Sequence, residues 1–335
     1  MHHDMGLVGG VLGAVAAAVP TRFLAPITFA RRPIRWLSAI SATRATIAGG
    51  PDLGFDLCVR RTSADERRAL DLSAWRIAFS GSEPVRRSTM RSFTEMFAPQ
   101  GFRPSTMRPV YGLAEATLLV AGRGSSGADD GPAPSCGVPS QTVKIVDPET
   151  RARVADGAIG EVWVSGPCVA NGYAGREEET RATFGALTAD GDGPFLRTGD
   201  LGALVRGELC VVGRRKETII IGGRNISPHE IEDAARAAHP ALDPSACLAF
   251  GVRGAATEEV VVAVELLPRA TRGADLGALH DEIVRAVRRS VAEEHEISVR
   301  AVEVIASGGL PRTTSGKLRR TFYRDVWLRE HGGEP

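Results

Sequence analysis

The chain has 335 residues, of which 43% are hydrophobic and 24% charged, enough to bury the cores of two or more units. Forty-one Lys and Arg against forty Asp and Glu leave a formal net charge of +1, so bulk charge points to no nucleic-acid partner and no membrane surface. Five cysteines lie far apart without a C-x-x-C pair, which excludes a zinc-ribbon or disulfide framework and leaves reduced, mostly buried thiols of a cytoplasmic protein as the expectation.

The apolar run from Gly6 to Val19 follows a start, Met1 to Met5, without Lys or Arg, and it is shorter than the ~20 apolar residues a membrane span needs. It reads as a buried helix, with no stable membrane insertion expected. Pro33 suits the first turn of a helix whose Ile34, Leu37 and Ile40 share one face, and Ala45 to Ala48 reads as a strand stopping at Gly49-Gly50-Pro51. Leu53 to Arg61 is helical in pattern, Ser63-x-x-Glu66 has the form of a capping box, and Trp75 to Phe79 reads as a strand meeting the turn Gly81-Ser82-Glu83-Pro84. A helix with Val85, Phe93 and Phe97 as core contacts follows, then a strand near Arg108 to Tyr111. This alternation predicts a largely parallel α/β sheet with ligands beyond the carboxyl ends of its strands.

Gly122 to Pro134 lacks periodicity and reads as a surface loop. Val143 to Ile145 and Glu161 to Ser165 alternate apolar and polar residues, the mark of a small antiparallel β unit. After Gly213-Arg214 the chain restarts as an α+β module. Ser227 is placed to cap a helix, with Pro228 first and Glu230 third after the cap, and strands are expected at Ala246–Gly251 and Glu259–Leu266. Leu276, Leu279, Ile283, Val287 and Val291 stripe a long helix from Asp275 to Glu294, and a strand near Val299–Ile305 and a basic helix from about Leu318 complete the module.

Four segments carry chemical potential, each with an ordinary structural alternative. Tyr111-Gly112-Leu113-Ala114-Glu115 would present an aromatic ring and a carboxylate at a strand end, suited to a planar base and to Mg²⁺ beside a phosphate; it also suits a plain strand-to-helix turn. Arg197-Thr198-Gly199-Asp200 offers a tight turn after a strand and a carboxylate able to accept both hydroxyls of a ribose, although Gly-Asp pairs are common in turns. Gly213-Arg214-Arg215-Lys216-Glu217, leading to Gly222-Gly223-Arg224-Asn225, is either a hinge between lobes or a solvated loop. In Leu310 to Arg320, cations crowd a helix start, against the helix dipole, so Lys317 suits a phosphate or carboxylate, or the tract is a basic surface tail. Gly81 to Pro84 could line a base pocket or serve as a cap and turn, and His3-Asp4 either borders a channel or belongs to a frayed terminus.

The order of Tyr111–Glu115, Thr198–Asp200, Gly213–Asn225 and Ser315–Lys317 resembles the adenylate-forming superfamily of acyl-CoA synthetases, peptide-synthetase adenylation domains and luciferases. Within it, His3-Asp4-Met5-Gly6-Leu7, Gly49-Gly50-Pro51, Asp56 to Arg61, Tyr111 to Thr117 and Gly223-Arg224-Asn225 look like fatty acyl-AMP ligases, and the resemblance covers nearly the whole chain. It implies a partial adenylation domain over 1–213, with an α/β subdomain at 1–135 and a β subdomain at 136–213, followed by a mobile α+β lid at 214–335. It implies ATP and Mg²⁺, with adenine at Tyr111, Gly112 and the turn Gly81, Ser82, Glu83, Pro84; ribose at Asp200 and Arg214; Mg²⁺ at Glu115; a hinge at Lys216; and Lys317 bridging carboxylate and α-phosphate. Glu115 and Lys317 are then the catalytic pair, a fatty acid the substrate, and an acyl carrier protein, or a carrier domain of a polyketide or peptide synthase, the acceptor.

Two departures qualify this. The superfamily's Ser/Thr/Gly-rich phosphate loop ending in lysine should precede the His-Asp motif, and Gly124-Ser125-Ser126-Gly127 is a poor substitute because no lysine follows. Autonomous adenylation is therefore expected to be weak or absent unless a missing N-terminal half is supplied. The stretch Leu118 to Ser135 is also shorter than the segment that usually carries an insertion excluding coenzyme A, which keeps an acyl-CoA ligase open as the alternative enzyme. A non-catalytic truncated module that binds a nucleotide or partner is the alternative outside catalysis.

Overall fold

The computed structural model describes residues 3–124, 130–254, 257–271, 273, 275–313 and 316–332; Ser125 to Gly127 and Ser315, named above, lie outside the described residues. Two compact units divide the chain, Met1–Val212 and Gly213–Pro335. The fold is mixed α/β, with parallel and antiparallel sheets.

In the first unit, β1 (Ile47–Gly50), β2 (Ile77–Ser80) and β3 (Met107–Pro109) form a parallel sheet in that order. Helices Ile34–Thr43, Asp52–Arg61 and Arg87–Phe97 supply its core, an aromatic knot in which Trp75, Phe55, Phe93, Phe97 and Phe102 are all buried. Trp75 and Phe93 meet edge to face at 6.1 Å, and Phe93 and Phe102 at 5.0 Å, spacings that add specific attraction to area burial. The Ser63–Glu66 capping box forms as its spacing implies.

A small antiparallel sheet follows, β4 (Tyr111–Gly112), β5 (Leu119–Arg123) and β6 (Val138–Pro139). The antiparallel β unit is β7 (Thr142–Val146), β8 (Gly160–Ser165), β9 (Leu196–Val205) and β10 (Glu208–Arg214), ordered β10-β9-β8-β7. Tyr111, Val120 and Ala121 share one core with Ile145, Val162, Val164, Leu196 and Leu209, so the two sheets pack as one body.

In the second unit, β11 (Ile219–Ile221) pairs with β12 (Arg224–Ile226), and β13 (Leu242–Arg253), β14 (Glu258–Leu266) and β15 (Val299–Ile305) form a mixed sheet. Ile231 of helix Pro228–Ala237 and Ile283, Val287 and Val291 of helix Leu276–His295 pack on Val260, Val262 and Val264. Val261 points the other way, to Trp327 and Leu328 of helix Arg320–Glu330, as period-two alternation requires.

Several expectations change. Gly6 to Val19 is helical, as a π-helix over Met5–Leu12 continued by Gly13–Ala17, but it buries no residue: Val15 is 74% exposed because no described element covers that face. Val85 is only half-buried, since the helix begins after it at Arg87. Ser227 does precede its helix, yet its hydroxyl caps no helix amide. Leu276, in the first turn, is exposed, and the last helix starts at Arg320 rather than Leu318.

Buried carboxylates pin the loops between these elements. Asp52, 2% exposed, accepts the backbone N–H of Arg86 at 3.2 Å, its Nε at 2.7 Å and the Thr89 hydroxyl at 2.9 Å. Replacing Asp52 by Ala removes the buried carboxylate that three donors share, and chemical denaturation is expected to show a loss of about 3–5 kcal/mol; a loss within experimental error would mean that the pair does not hold the fold.

Burial alone would raise the Glu232 carboxyl; Arg320, then His229 and Arg236, outweigh it and hold it well below its ordinary 4.5. A depressed carboxylate contributes stability that is complete above its unfolded value and lost as pH falls toward its folded one. The melting-temperature gap between wild type and Glu232→Gln should therefore be widest near about pH 7 and shrink below about pH 4. A gap indifferent to pH over that range would contradict the charge pairing.

Candidate functional site

The turn Gly81-Ser82-Glu83-Pro84 leaves the carboxyl end of β2. Glu83 reaches back to accept the N–H of Leu53 at 2.7 Å, capping the first turn of helix Asp52–Arg61, while the Asp52–Arg86 pair fixes the turn's other flank. Gly81 is required by close approach: a Cβ there would lie 2.7 Å from the Val110 carbonyl oxygen. Ser82 has φ +65°, a left-handed conformation uncommon outside glycine. The turn thus lies against Val110, whose N–H donates to the Ser80 carbonyl at 2.8 Å, one residue before Tyr111.

Tyr111 is buried, and its hydroxyl donates to Oδ2 of Asp200 at 2.6 Å across 89 residues of sequence. Gly112 is exposed but irreplaceable in this backbone, since a Cβ would fall 1.7 Å from the Leu118 carbonyl oxygen.

Asp200 is itself 6% exposed. The expected turn after a strand is not formed: Thr198 and Gly199 lie inside β9, where the register against β8 shifts between Glu161 and Trp163. Gly199 takes φ +72° in this irregularity, and a bulge re-aims the side chain that follows. Buried Glu161 accepts the Gly199 N–H at 3.2 Å and pairs with Arg197 at 2.7 Å. Thr198 donates its hydroxyl to the Val162 carbonyl at 2.6 Å and accepts the Asp200 N–H at 3.1 Å. Tyr111 thus holds the Asp200 carboxylate and Thr198 its backbone N–H.

Glu115 sits on a short 3-10 turn, Ala114–Ala116. A segment after β8 straps it down. The Ala170 N–H donates to the Glu115 carbonyl at 2.8 Å, and the Tyr173 hydroxyl donates to Glu115 Oε1 at 2.8 Å. Burial, then this hydrogen bond to a carboxylate, push the Tyr173 phenol up to about 12, so the tyrosine remains a donor. Thr117 takes φ +65°, an outlier for a β-branched residue, with its hydroxyl bonded to the Cys168 carbonyl at 2.7 Å. Strain of this kind persists only where the surroundings over-determine it, and it concentrates at working sites.

The first unit therefore brings together the 81–84 turn, Tyr111 and Asp200, with Glu115 a few residues on. Arg214, Lys216 and Lys317 belong to the second unit. Arg214 ends β10, and Lys216 is exposed in the turn Arg215–Glu217. Lys317 closes a tight loop: its carbonyl accepts the Thr313 N–H at 2.8 Å, and its N–H donates to the Thr313 hydroxyl at 3.1 Å. His3 and Asp4 pair with each other at 2.5 Å, and Asp4 caps the first helix. Sequence reading missed Tyr173 and Glu161. Nothing in the sequence distinguished Tyr173 from other aromatic residues or Glu161 from an ordinary strand glutamate.

Residues 1–174 match the family described as AMP-binding enzyme. A medium-chain-fatty-acid–[acyl-carrier-protein] ligase of Moorena producens, JamA, is 39% identical over 97% of this chain and 59% of its own length. A 4-hydroxyphenylalkanoate adenylyltransferase of Mycobacterium tuberculosis is 36% identical over 98% of this chain and 57% of its own. Among solved structures, a fatty acid AMP ligase from Legionella pneumophila has TM-score 0.63 at 36% identity, covering 98% of this chain and 61% of that one. A fatty acyl-adenylate ligase from a study of the E. coli and L. pneumophila enzymes has TM-score 0.85 at 29% identity, covering 99% and 62%. The chain spans about three fifths of the length of the curated relatives it matches. With more than half of its residues inside the family match, the chain belongs to the AMP-binding enzymes, the adenylate-forming ligases.

Proposed function

We propose that this chain takes part in activating a fatty acid as its acyl-adenylate, followed by transfer to the phosphopantetheine thiol of an acyl carrier protein. The observation that carries the reading is the Tyr111–Asp200 hydrogen bond, which brings the ribose and adenine candidates into contact within the first unit. The name of the Moorena relative, a medium-chain-fatty-acid–[acyl-carrier-protein] ligase, supports both substrate and acceptor.

In the first step a carboxylate oxygen of the fatty acid attacks the α-phosphorus of ATP; a P–O bond forms and the bond to pyrophosphate breaks. The work is positioning and charge neutralisation. Asp200, its carboxylate oriented by Tyr111 and its backbone N–H bonded to the Thr198 hydroxyl, accepts hydrogen bonds from the ribose hydroxyls, with Arg214 assisting. The backbone of Gly81 to Pro84, with Tyr111 and Gly112, borders the adenine. Lys317 offsets charge on the carboxylate and α-phosphate, and Lys216 marks the hinge of a mobile lid formed by 214–335, following a partial adenylation domain over 1–213.

Glu115 is the residue to hold Mg²⁺. Among the described residues no three acidic, His or Cys side chains gather into a metal cage. A single carboxylate suits Mg²⁺, which keeps waters and takes its other oxygens from substrate phosphates. Bound there, the ion would neutralise phosphate charge; Tyr173 fixes the carboxylate that receives it.

The matched relatives carry chain beyond what this one covers, and full activity is proposed to need that portion, in the same polypeptide or as a partner. The uncovered apolar side chains of Leu12, Val15, Phe23, Ile27 and the edge residue Ile47 support this. An acyl-CoA ligase is the second reading, favoured by 35% identity to a putative fatty-acid–CoA ligase of M. tuberculosis.

The test is fatty-acid-dependent exchange of pyrophosphate into ATP, over medium and long chains, with and without the missing portion. Lys317→Ala is expected to remove exchange by a factor on the order of 100; unchanged exchange would sink the assignment. Tyr173→Phe is expected to raise the Mg²⁺ concentration for half-maximal exchange about tenfold, as loss of a ligand's supporting hydrogen bond does. An unaltered Mg²⁺ dependence would remove Glu115 from the metal site. Loading of coenzyme A in preference to a carrier protein would favour the second reading.

A further inference from the structure

The last helix opens with Arg320 at its first position, where the dipole disfavours a cation. The structure supplies the compensation. The Arg320 side chain is 10% exposed and spans two carboxylates: Nη2 and Nε donate to Glu232 Oε1 at 2.8 and 3.3 Å, and Nη1 donates to Glu217. Glu232, 4% exposed, also accepts the Ala249 N–H at 2.9 Å, faces His229 Nδ1 at 3.0 Å, and has Arg236 at 3.9 Å.

The two ends of this bridge are the candidate hinge and the candidate lysine. Glu217 adjoins Lys216 in the turn Arg215–Glu217. Arg320 lies three residues after Lys317, and the intervening chain is short and pinned: the Arg319 N–H donates to the Pro311 carbonyl at 2.9 Å, and the Gly316 N–H to Thr313 at 2.9 Å. Upstream, buried Glu265 accepts the N–H groups of Gly308 and Leu310 at 3.0 and 2.6 Å. There is little slack between Arg320 and the lysine.

We propose that Arg320 is a positioning residue that locks the 215–217 turn to the Lys317 loop, so that this turn and the lysine move as one body. A guanidinium can do this because its planar fork serves two carboxylates at once; a lysine in its place is a point charge that cannot. The functional meaning rests on the reading of Lys317 as the adenylation lysine, whereas the lock itself does not.

Hydrogen exchange by mass spectrometry on the full 335-residue chain separates the two. Glu217→Gln removes one charge-assisted contact at a side chain 25% exposed, so the fold is retained. It should accelerate exchange about tenfold both in 215–221 and in the distant segment 311–320, while Arg319→Gln, at an exposed neighbour, leaves both unchanged. Arg320→Lys should accelerate both segments as well. Acceleration confined to 215–221, or none, overturns the lock. In the completed enzyme Glu217→Gln should lower kcat for pyrophosphate exchange with KM for ATP unchanged. Coupled hydrogen exchange without that kinetic loss would uphold the lock and overturn the role given to Lys317.

Discussion

A hydroxyl and a carboxylate 89 residues apart, Tyr111 and Asp200, meet at 2.6 Å, and the first unit's candidate site depends on that meeting. It ties the short β4, which would otherwise hang on two pairings, to β9 in the middle of a four-stranded sheet. It also decides what Asp200 can do. A carboxylate 6% exposed would be costly to hold without partners, and the tyrosine hydroxyl is one that keeps it oriented as an acceptor. The fold itself therefore aims this carboxylate.

The same device recurs. Asp52, Glu161, Glu232 and Glu265 are buried carboxylates, and each accepts backbone N–H groups from a segment distant in sequence or from a loop that regular structure leaves unsatisfied. Three of them add an arginine: Arg86, Arg197 and Arg320. A buried ion pair gives little net stability over well-packed apolar groups, but breaking one is expensive. These pairs are better understood as registers for the 81–84 turn, the Thr198–Asp200 bulge and the lysine loop than as stabilisers.

The elements with strong periodicity were legible in the sequence. The stripe Ile283, Val287, Val291 and the knot around Phe93 and Phe97 are what spacing alone demands, and the Ser63–Glu66 box is local chemistry that needs no tertiary partner. Long-range relations were not legible. No pattern in β9 shows that Gly199 sits in a bulge rather than a turn, because the register shift is defined against β8. Tyr173 is one aromatic among several until the strap after β8 folds over Glu115. Gly6 to Val19 misled in the other direction: its hydropathy is that of a buried helix, yet hydropathy states what a segment would gain by burial and not whether anything covers it.

Backbone strain marks the first unit's candidate residues, beside the buried pairs already named, whereas paired charge dominates around the second unit's lysine loop. In the first, Ser82 and Thr117 hold left-handed backbone angles next to the adenine and Mg²⁺ candidates, and Glu83, the Cys168 carbonyl and Tyr173 brace the segments that carry them. Such bracing fixes a binding surface before a ligand arrives, which lowers the ordering cost of binding. In the second, the backbone of the lysine loop is closed by ordinary turns, and the unusual expense is electrostatic: an arginine set against a helix dipole and wrapped by two carboxylates. Under the proposed function, a surface that waits for substrate gains from fixed geometry, whereas a lysine carried on a lid gains from a rigid link to its hinge. The placement of strain around Glu115 and of buried charge around Arg320 follows that distinction.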